Sequence, residues 1–363
     1  MGIALGVLGC GWFGSEFIRH FRAHPDVARL ALCDQDPERL ARAAETHGVR
    51  ETYASLEAIA ASDLDAVAIF SQPWLHARQA VALLGAGKDV YSAVPAAASL
   101  DECAALVRAT EASGRRYMMG ETSIFRAECE YCRRRASAGD FGHIVHLEAE
   151  YLHDLDHGLR GVAEHRWGAA YGPDKQGDAP MHYPTHSIGF VTAITGARLV
   201  SVSCLGVKIP GDDWHRPDTI HANPFGDEIA LFELSNGATA RIAEMRKVGH
   251  TGAEQVCRVY GTEAVFEFGA GGAWWITKDR AEQVQVPYDF APLPPALAAD
   301  RGGHGGSHAH LVHEFVSAVR DRRQPRMNAW QAVRTLAPGL VAHQSAMRGG
   351  ERLPVPDWGD PPA

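Results

Sequence analysis

The sequence predicts two domains: a doubly wound α/β domain on a parallel sheet over residues 1–121, then an α+β domain over 122–363 with a mostly antiparallel, open sheet. Three observations predict it. The apolar run Ile3–Leu8 ends in Gly9-Cys10-Gly11-Trp12-Phe13-Gly14, and an amphipathic segment carrying Phe17, Ile18 and Phe21 follows. Strand-like and helical runs alternate through the first 120 residues, as in parallel strands joined by crossover helices. Beyond Glu121, strand-like runs succeed one another with turn signals such as Ser235-Asn236-Gly237 between them, which implies antiparallel pairing.

Each element has its own reason. In a G-x-G-x-x-G turn the first glycine permits the bend, the second lets a phosphate approach the backbone, and the third lets helix pack on strand. A second apolar run, Leu30–Cys33, ends in Asp34, twenty residues beyond Gly14. A carboxylate there accepts hydrogen bonds from an adenosine ribose and repels a 2′-phosphate. Gln35 follows, with no arginine for that phosphate, so the first domain reads as a Rossmann domain for NAD rather than NADP. Ala66–Phe70, Asp89–Tyr91 and Arg116–Met118 complete its strands, with Pro37–Thr46, Trp74–Gly85 and Leu100–Ala112 as helices between them. In the second domain His143–Tyr151, Leu199–Val207, Glu228–Leu234, Thr239–Met245, Gln255–Tyr260 and Ala264–Phe268 are the expected strands. Tyr288–Gly306, rich in proline and glycine, reads as a loop; the helices His308–Arg320 and Asn328–Met347 follow and can pack back on the first domain.

Composition excludes several classes. With 46% hydrophobic and 22% charged residues in 363, the chain can build two real cores. A net charge of −9 argues against a nucleic-acid surface, and the cluster Arg133-Arg134-Arg135 reads as a solvated helix face. No stretch approaches the roughly eighteen apolar residues of a membrane span. The chain starts on its first strand without a signal peptide, and Gly6 stands where a myristoylation signal needs Ser or Thr. A cytoplasmic protein with neither a membrane nor a nucleic-acid partner is expected. The seven scattered cysteines form no disulfide framework, and Cys129-x-x-Cys132 reads as a reduced pair on a helix.

Gly9–Gly14, Asp34, Ser71-Gln72-Pro73-Trp74-Leu75-His76 and Gly85-Ala86-Gly87-Lys88-Asp89-Val90 together resemble the Gfo/Idh/MocA oxidoreductases along the N-terminal domain. The resemblance implies that Gly9, Gly11, Trp12, Phe13, Gly14, Asp34, Ser71, Pro73, His76, Ala93, Val94 and Trp167 border NAD. It also exposes departures. Where the family carries Glu-Lys-Pro, with lysine on the reacting hydroxyl, this chain has Ala93-Val94-Pro95, and where the family places an aspartate four residues before a histidine it has His182 before His186. Val94-Pro95-Ala96-Ala97 and Tyr183-Pro184-Thr185-His186 instead resemble a branch of NAD-dependent α-N-acetylgalactosaminidases, as do Met118–Glu121, Tyr151–Asp154 and Gly303–Gly306. A tyrosine which that branch supplies from a late strand is missing from Lys247–Thr251, so a changed substrate or chemistry is open.

By resemblance, Tyr183, His186, His153, Tyr151, Glu121, His182 and His304 form the catalytic set, at the predicted seam between the domains. Such enzymes oxidise a sugar C3 hydroxyl with NAD, which acidifies the C2 proton; weak acids and bases then eliminate the C1 group, add water and take the hydride back. Without the resemblance, Tyr151 and His153 are two residues on one face of a strand, and His304 sits in a flexible linker. His182 and His186 have a zinc-like spacing, but Pro184 interrupts the helix and no third ligand matches, so no metal is expected. His308, His310 and His313 read as helix-surface residues, and Arg166, Trp214, His215 and Arg216 either bind an anionic substituent or decorate a loop. Three readings follow: redox-neutral glycoside hydrolysis, a sugar (glycoside 3-) dehydrogenase, and a non-catalytic sugar or NAD sensor. All three take a small carbohydrate. The open second sheet invites a homo-oligomer, dimer or tetramer.

Overall fold

A computed structural model describes residues 2–167, 177–250, 253–287 and 291–362; the side chains of 165–167, 253 and 254 also lie outside the described residues. The chain divides into two units, one of residues 1–125, 291–333 and 358–363, the other of 126–290 and 334–357.

In the first unit the strands are β1 (Ile3–Leu8), β2 (Val27–Cys33), β3 (Glu51–Tyr53), β4 (Ala66–Ile69), β5 (Asp89–Ser92) and β6 (Tyr117–Met119). They form one parallel sheet in the order β3-β2-β1-β4-β5-β6. The order reverses between β1 and β4, which opens a crevice beyond the carboxyl ends of those strands. β4 and β5 are buried along their whole length, as central parallel strands covered on both faces must be. The crossover helices are α1 (Trp12–Ala23), α2 (Pro37–His47), α3 (Leu56–Ala60), α4 (His76–Gly85) and α5 (Leu100–Ser113). Side chains set several of their starts. Asp36 caps α2 through the amides of Glu38 and Arg39, and Ser99 caps α5 while Glu102 reaches back to the Ala98 amide. Gly11 brings no side-chain cap to α1, so the amides of its first turn face outward with their partial positive charge.

The second unit holds α6 (Ala127–Ser137), α7 (Arg160–Trp167), α8 (Thr185–Thr195) and strands β7 (Ile144–His153), β8 (Leu199–Val207), β9 (Asp227–Leu234), β10 (Thr239–Met245), β11 (Ala253–Gly261), β12 (Ala264–Gly269), β13 (Gly272–Thr277), β14 (Ala281–Val284) and β15 (Leu353–Pro354). These make a nine-stranded sheet in the order β14-β13-β12-β11-β7-β10-β9-β8-β15, antiparallel except where β7 lies parallel to β10. β9 alternates buried and exposed residues over most of its length. Ala230, Phe232 and Leu234 point into the core, while Ile229 and Leu231 face out, beside Leu205 of β8.

The segment expected as the loop Tyr288–Gly306 begins outside the described residues, contains α9 (Pro295–Ala299), and runs into α10 (Gly303–Asp321). α10 opens with His304, Gly305 and Gly306, all left-handed, before regular helix begins. The last helix is α11 (Ala329–Met347). β3, α3, β13 and β14 were not expected from the sequence. They are three to six residues long, too short for a period to mark them. His308 and His310 are a correction: both are buried, because α10 turns that face into the first unit's core against Phe17 and Phe125.

The glycine turn rests on one close approach. Gly9 has φ +99°, and a Cβ on Gly14 would lie 2.1 Å from the Gly9 carbonyl oxygen, whereas one on Gly11 would meet nothing within 4 Å. Gly14→Ala is expected to destabilise the protein by about 1–3 kcal/mol, the usual cost of overpacking, while Gly11→Ala leaves the melting temperature nearly unchanged. Thermal denaturation of the two variants checks the contrast.

Candidate functional site

In the first unit the site is built around the glycine turn. Asp34, at the end of β2, is buried; its carboxylate accepts the Cys10 amide at 2.9 Å and the Asp36 amide at 2.9 Å. Those two bonds clamp the acid beside the turn. Arg39, on the first turn of α2, comes within 3.6 Å of Asp34, a neighbour that reading only as far as Gln35 missed. Burial pushes the Cys10 thiol up to about 12, so it sits in the turn as a small apolar residue rather than a nucleophile. Trp12 stands 56% exposed at the start of α1, and Phe13 folds back onto Phe17 and Phe70.

Two further turns meet at His76. Its Nδ1 lies 2.8 Å from the Pro95 carbonyl and its Nε2 3.1 Å from that of Ser71. Burial pushes the imidazole below its ordinary value, and a neutral ring carries one N–H, so it donates to the carbonyl of one turn while packing against that of the other. The Ser71 hydroxyl donates to Gln79, and Pro73 starts the short 3₁₀ turn before α4. Glu121 is fully buried after β6, its carboxylate accepting the Ser123 amide at 2.8 Å. His304 reaches the same turn region: its ring lies 6.2 Å from Phe13, and its Nδ1 is 2.9 Å from His308 Nε2. Burial and the neighbouring His304 push His308 down to about 3, so it too is neutral.

The second unit gathers most of the proposed acid–base groups on the face of the sheet that α8 covers. The sheet register puts Glu228 of β9, Glu244 of β10 and Tyr151 of β7 side by side. Tyr151 and His153, two apart on β7, share a hydrogen bond of 2.8 Å between phenol oxygen and Nδ1. His186, on the first turn of α8, sets its ring edge against Tyr151 at 4.9 Å and Tyr183 at 5.3 Å. Tyr183 stacks at 6.5 Å on Tyr151. Four of the residues singled out in the sequence therefore form one cluster. His182 turns elsewhere, to Asp178 at 2.8 Å and to the His343 ring; burial pushes it down, but the Asp178 carboxylate outweighs this and holds it above its ordinary value. Pro184 separates the 3₁₀ turn Pro180–His182 from α8, so His182 and His186 do not share a helix face. Trp214 and His215 are buried in their own loop, His215 on Asp212. The Trp167 and Arg166 side chains lie outside the described residues. Among the described residues no group of three or more His, Cys, Asp or Glu converges as metal ligands.

The first unit fits a dinucleotide. Open space at Gly11, uncapped amides on α1 and a buried carboxylate after β2 are what a pyrophosphate and a ribose need. Residues 3–121 match the Gfo/Idh/MocA family model, described as the oxidoreductase family with an NAD-binding Rossmann fold. The N-terminal domain is similar to the NAD-binding domain of that family. The chain as a whole is 26% identical to a family 109 glycosyl hydrolase protein of Solibacter usitatus, over 98% of this chain and 88% of that one. It is 24% identical to another of Stenotrophomonas maltophilia, over 98% and 89%. Among solved structures, levoglucosan dehydrogenase in complex with NADH and levoglucosan matches with a TM-score of 0.82 at 18% identity, over 98% of this chain and all of that one, which shows the shared fold.

The second unit carries neighbours of this cluster that sequence reasoning passed over. Glu244 is wholly buried, accepts the Ser187 hydroxyl at 2.6 Å and pairs with Arg246 at 2.8 Å. Burial outweighs Arg246 and pushes its carboxyl up to about 7. Gly339, inside α11, was also missed: a Cβ there would stand 2.3 Å from the Met181 carbonyl oxygen and 2.4 Å from Pro184, so the Tyr-Pro-Thr-His turn depends on it. The signal was present as Pro338-Gly339 within an otherwise helical pattern.

Glu244 makes a stability prediction. Its carboxyl is raised on folding, so its favourable contribution is complete below the unfolded value near 4.5 and is lost as pH rises through about 7. Glu244→Gln keeps the shape without that loss. Its melting temperature relative to the parent protein is expected to be higher at pH 8 than at pH 5; an equal difference at both would contradict the burial of the charge.

Proposed function

We propose that the protein is an NAD-dependent enzyme acting on carbohydrate that cleaves glycosides without net redox change. The observation that carries this is the Tyr151–His153–Tyr183–His186 cluster in a chain whose lysine position is Val94. An ordinary dehydrogenase of this family needs the lysine; a reaction that oxidises, eliminates, hydrates and reduces in turn needs several weak proton carriers around one ring. The family 109 name of relatives aligned over 98% of the chain supports the same reading.

NAD, held by the glycine turn and Asp34, would supply the hydride acceptor and donor for the sugar C3. The residues do the rest. His186 takes the C3 hydroxyl proton and gives it back on re-reduction. The ketone makes the C2 proton acidic, and Tyr151, its phenol proton held by His153 Nδ1 2.8 Å away, removes it as the C1 group leaves. Tyr183, stacked on Tyr151, serves the leaving oxygen and then the incoming water. Glu121 and His304 supply the acid–base groups of the first unit, and His182, held above its ordinary value by Asp178, lies outside the Tyr151 cluster. Gly9, Gly11, Trp12, Phe13, Gly14, Asp34, Ser71, Pro73, His76, Ala93, Val94 and Trp167 border the cofactor. The cytoplasm supplies NAD and suits the seven buried cysteines, and the exposed face carrying Leu205 and Leu231 pairs copies of the chain.

A panel of aryl glycosides incubated with catalytic NAD tests the reading. Many turnovers with little accumulated NADH, and product carrying deuterium at C2 when formed in heavy water, are expected. Stoichiometric NADH without aglycone release would make the protein a dehydrogenase; silence with every sugar would make it a sensor. His186→Ala and Tyr183→Phe should lower turnover about 10²–10⁴-fold with NAD affinity nearly intact. A His186→Ala variant with close to full activity would return the turn to a structural role.

Asp34 should set cofactor choice. NAD is expected to bind more tightly than NADP, and Asp34→Ala to weaken NAD and narrow the gap, as read by titration of either nucleotide. Equal affinity of the unmodified protein for both would sink the assignment.

A further inference from the structure

The buried acid and arginine at the end of β10 lie outside the roles assigned above, yet they touch the proposed base. Arg246 lies with its guanidinium carbon 5.1 Å from the centre of the Tyr151 ring. Its nitrogens also donate to the Tyr151 carbonyl at 3.3 Å, the Met245 carbonyl at 3.1 Å and the Glu244 carboxylate at 2.8 Å. Both Arg246 and Glu244 are buried, Glu244 completely. The Tyr151 ring therefore has a guanidinium 5.1 Å and the His186 imidazole 4.9 Å from its centre.

We infer that Arg246 is the counter-charge for a Tyr151 phenolate, and that Glu244 controls how much of that charge Tyr151 receives. This rests on the reading of Tyr151 as the base that takes the C2 proton. Arginine stays charged at any working pH, so the cluster always holds one buried positive charge. A buried cation needs a partner, and two acids flank this one. When Glu244 is ionised it neutralises Arg246, and the phenol keeps its proton. When Glu244 is protonated, the guanidinium is left to the ring beneath it, and charge on the phenol oxygen becomes favourable. Tyr151 then releases its proton to His153 Nδ1: the O–H bond breaks, the N–H bond forms, and the negative charge rests on a ring stacked with a cation.

The surroundings allow this exchange. β9 presents Glu228 opposite Glu244, already engaged by His343 at 2.7 Å and the Met181 amide at 2.8 Å. Asp227, also on β9, accepts the amides of Arg246 and Lys247. α8 presents His186 and the Ser187 hydroxyl, which donates to Glu244, and β7 presents Tyr151 and His153. The Pro180 carbonyl lies 3.5 Å from the guanidinium. The burial that raises Glu244 to about 7 places its proton exchange in the working range.

Arg246 and Glu244 are positioning residues, and their variants should move the pH profile in opposite directions. Glu244→Gln mimics the protonated acid, so the acidic limb of kcat/KM is expected to fall by about one pH unit; Arg246→Gln should raise it by about one unit or more and cut turnover at pH 7 roughly 10-fold or more. Arg246→Lys keeps the charge and the fold, and should leave the limb close to its parent position. A purely structural pair would lower both rates and shift neither limb. The phenolate absorbance of the NAD-bound protein without substrate gives a second measure, with Tyr151→Phe identifying the band. Its midpoint should fall in Glu244→Gln and rise in Arg246→Gln. Unchanged midpoints, or shifts in the same direction, overturn the inference. Shifted midpoints in a protein that cleaves no glycoside would retain the coupling and reject the glycosidase reading, so the two fail separately.

Discussion

A charged pair taken out of water organises the second unit. Removing a carboxylate and a guanidinium from solvent costs several kcal/mol each, and their mutual attraction offsets this only if the remaining donors and acceptors find partners. Glu244 finds Ser187, and Arg246 finds the carbonyls of Tyr151 and Met245. Each partner lies on a different element, so satisfying the pair fixes three things together: the start of α8, the end of β7 and the end of β10. His186 is one residue from Ser187, and Tyr151 supplies both a carbonyl and a ring. The cluster geometry follows from the pair. Gly339 completes the arrangement by letting α11 approach the turn that carries Tyr183.

The first unit solves a different problem with backbone. A pyrophosphate needs amides aimed at one point, and side chains only obstruct it. Hence the 2.1 Å that would separate a Gly14 Cβ from the Gly9 oxygen, and the empty space at Gly11. His76 braces the neighbouring turns differently, packed between two carbonyls with a single N–H to give when neutral. The contrast is electrostatic. A neutral brace costs little to bury and holds shape, whereas a buried charge also sets the potential felt by the ring next to it.

This division explains what the sequence made legible. The sequence located β1, β8 and β10 to the residue, because turn signals bound each strand-like run. It also put Tyr151 and His153 on one face, since strand geometry has period two. What escaped was contact between distant segments. Arg39 nears Asp34 through the turn of α2, and His308 and His310 are buried by the side of α10 that faces Phe17 and Phe125. Nothing in the strand Thr239–Met245 itself marks Glu244 as buried, because its cover comes from α8. Burial of a charged residue depends on what packs over it, and periodicity records only the element's own face.

The histidines show how far such packing decides chemistry. At His308 the ring is neutral, and the Gly303 amide donates to its Nδ1 at 3.2 Å, so its proton sits on Nε2. That N–H faces His304 Nδ1 at 2.9 Å and must donate to it, which leaves a neutral His304 protonated on Nε2. His304 is thus delivered to the glycine turn as a proton donor of fixed tautomer. Three left-handed residues, His304, Gly305 and Gly306, curl the chain so that positions 303 and 308 can both reach the ring pair. His304 alone among them has a Cβ to strain in that conformation, and glycines on both sides absorb the rest of the bend. A side chain other than histidine at 308 would remove the donor and free the tautomer, while the backbone could keep its course. The loop's shape and its proton placement are therefore separable, the first owed to glycine and the second to a buried imidazole.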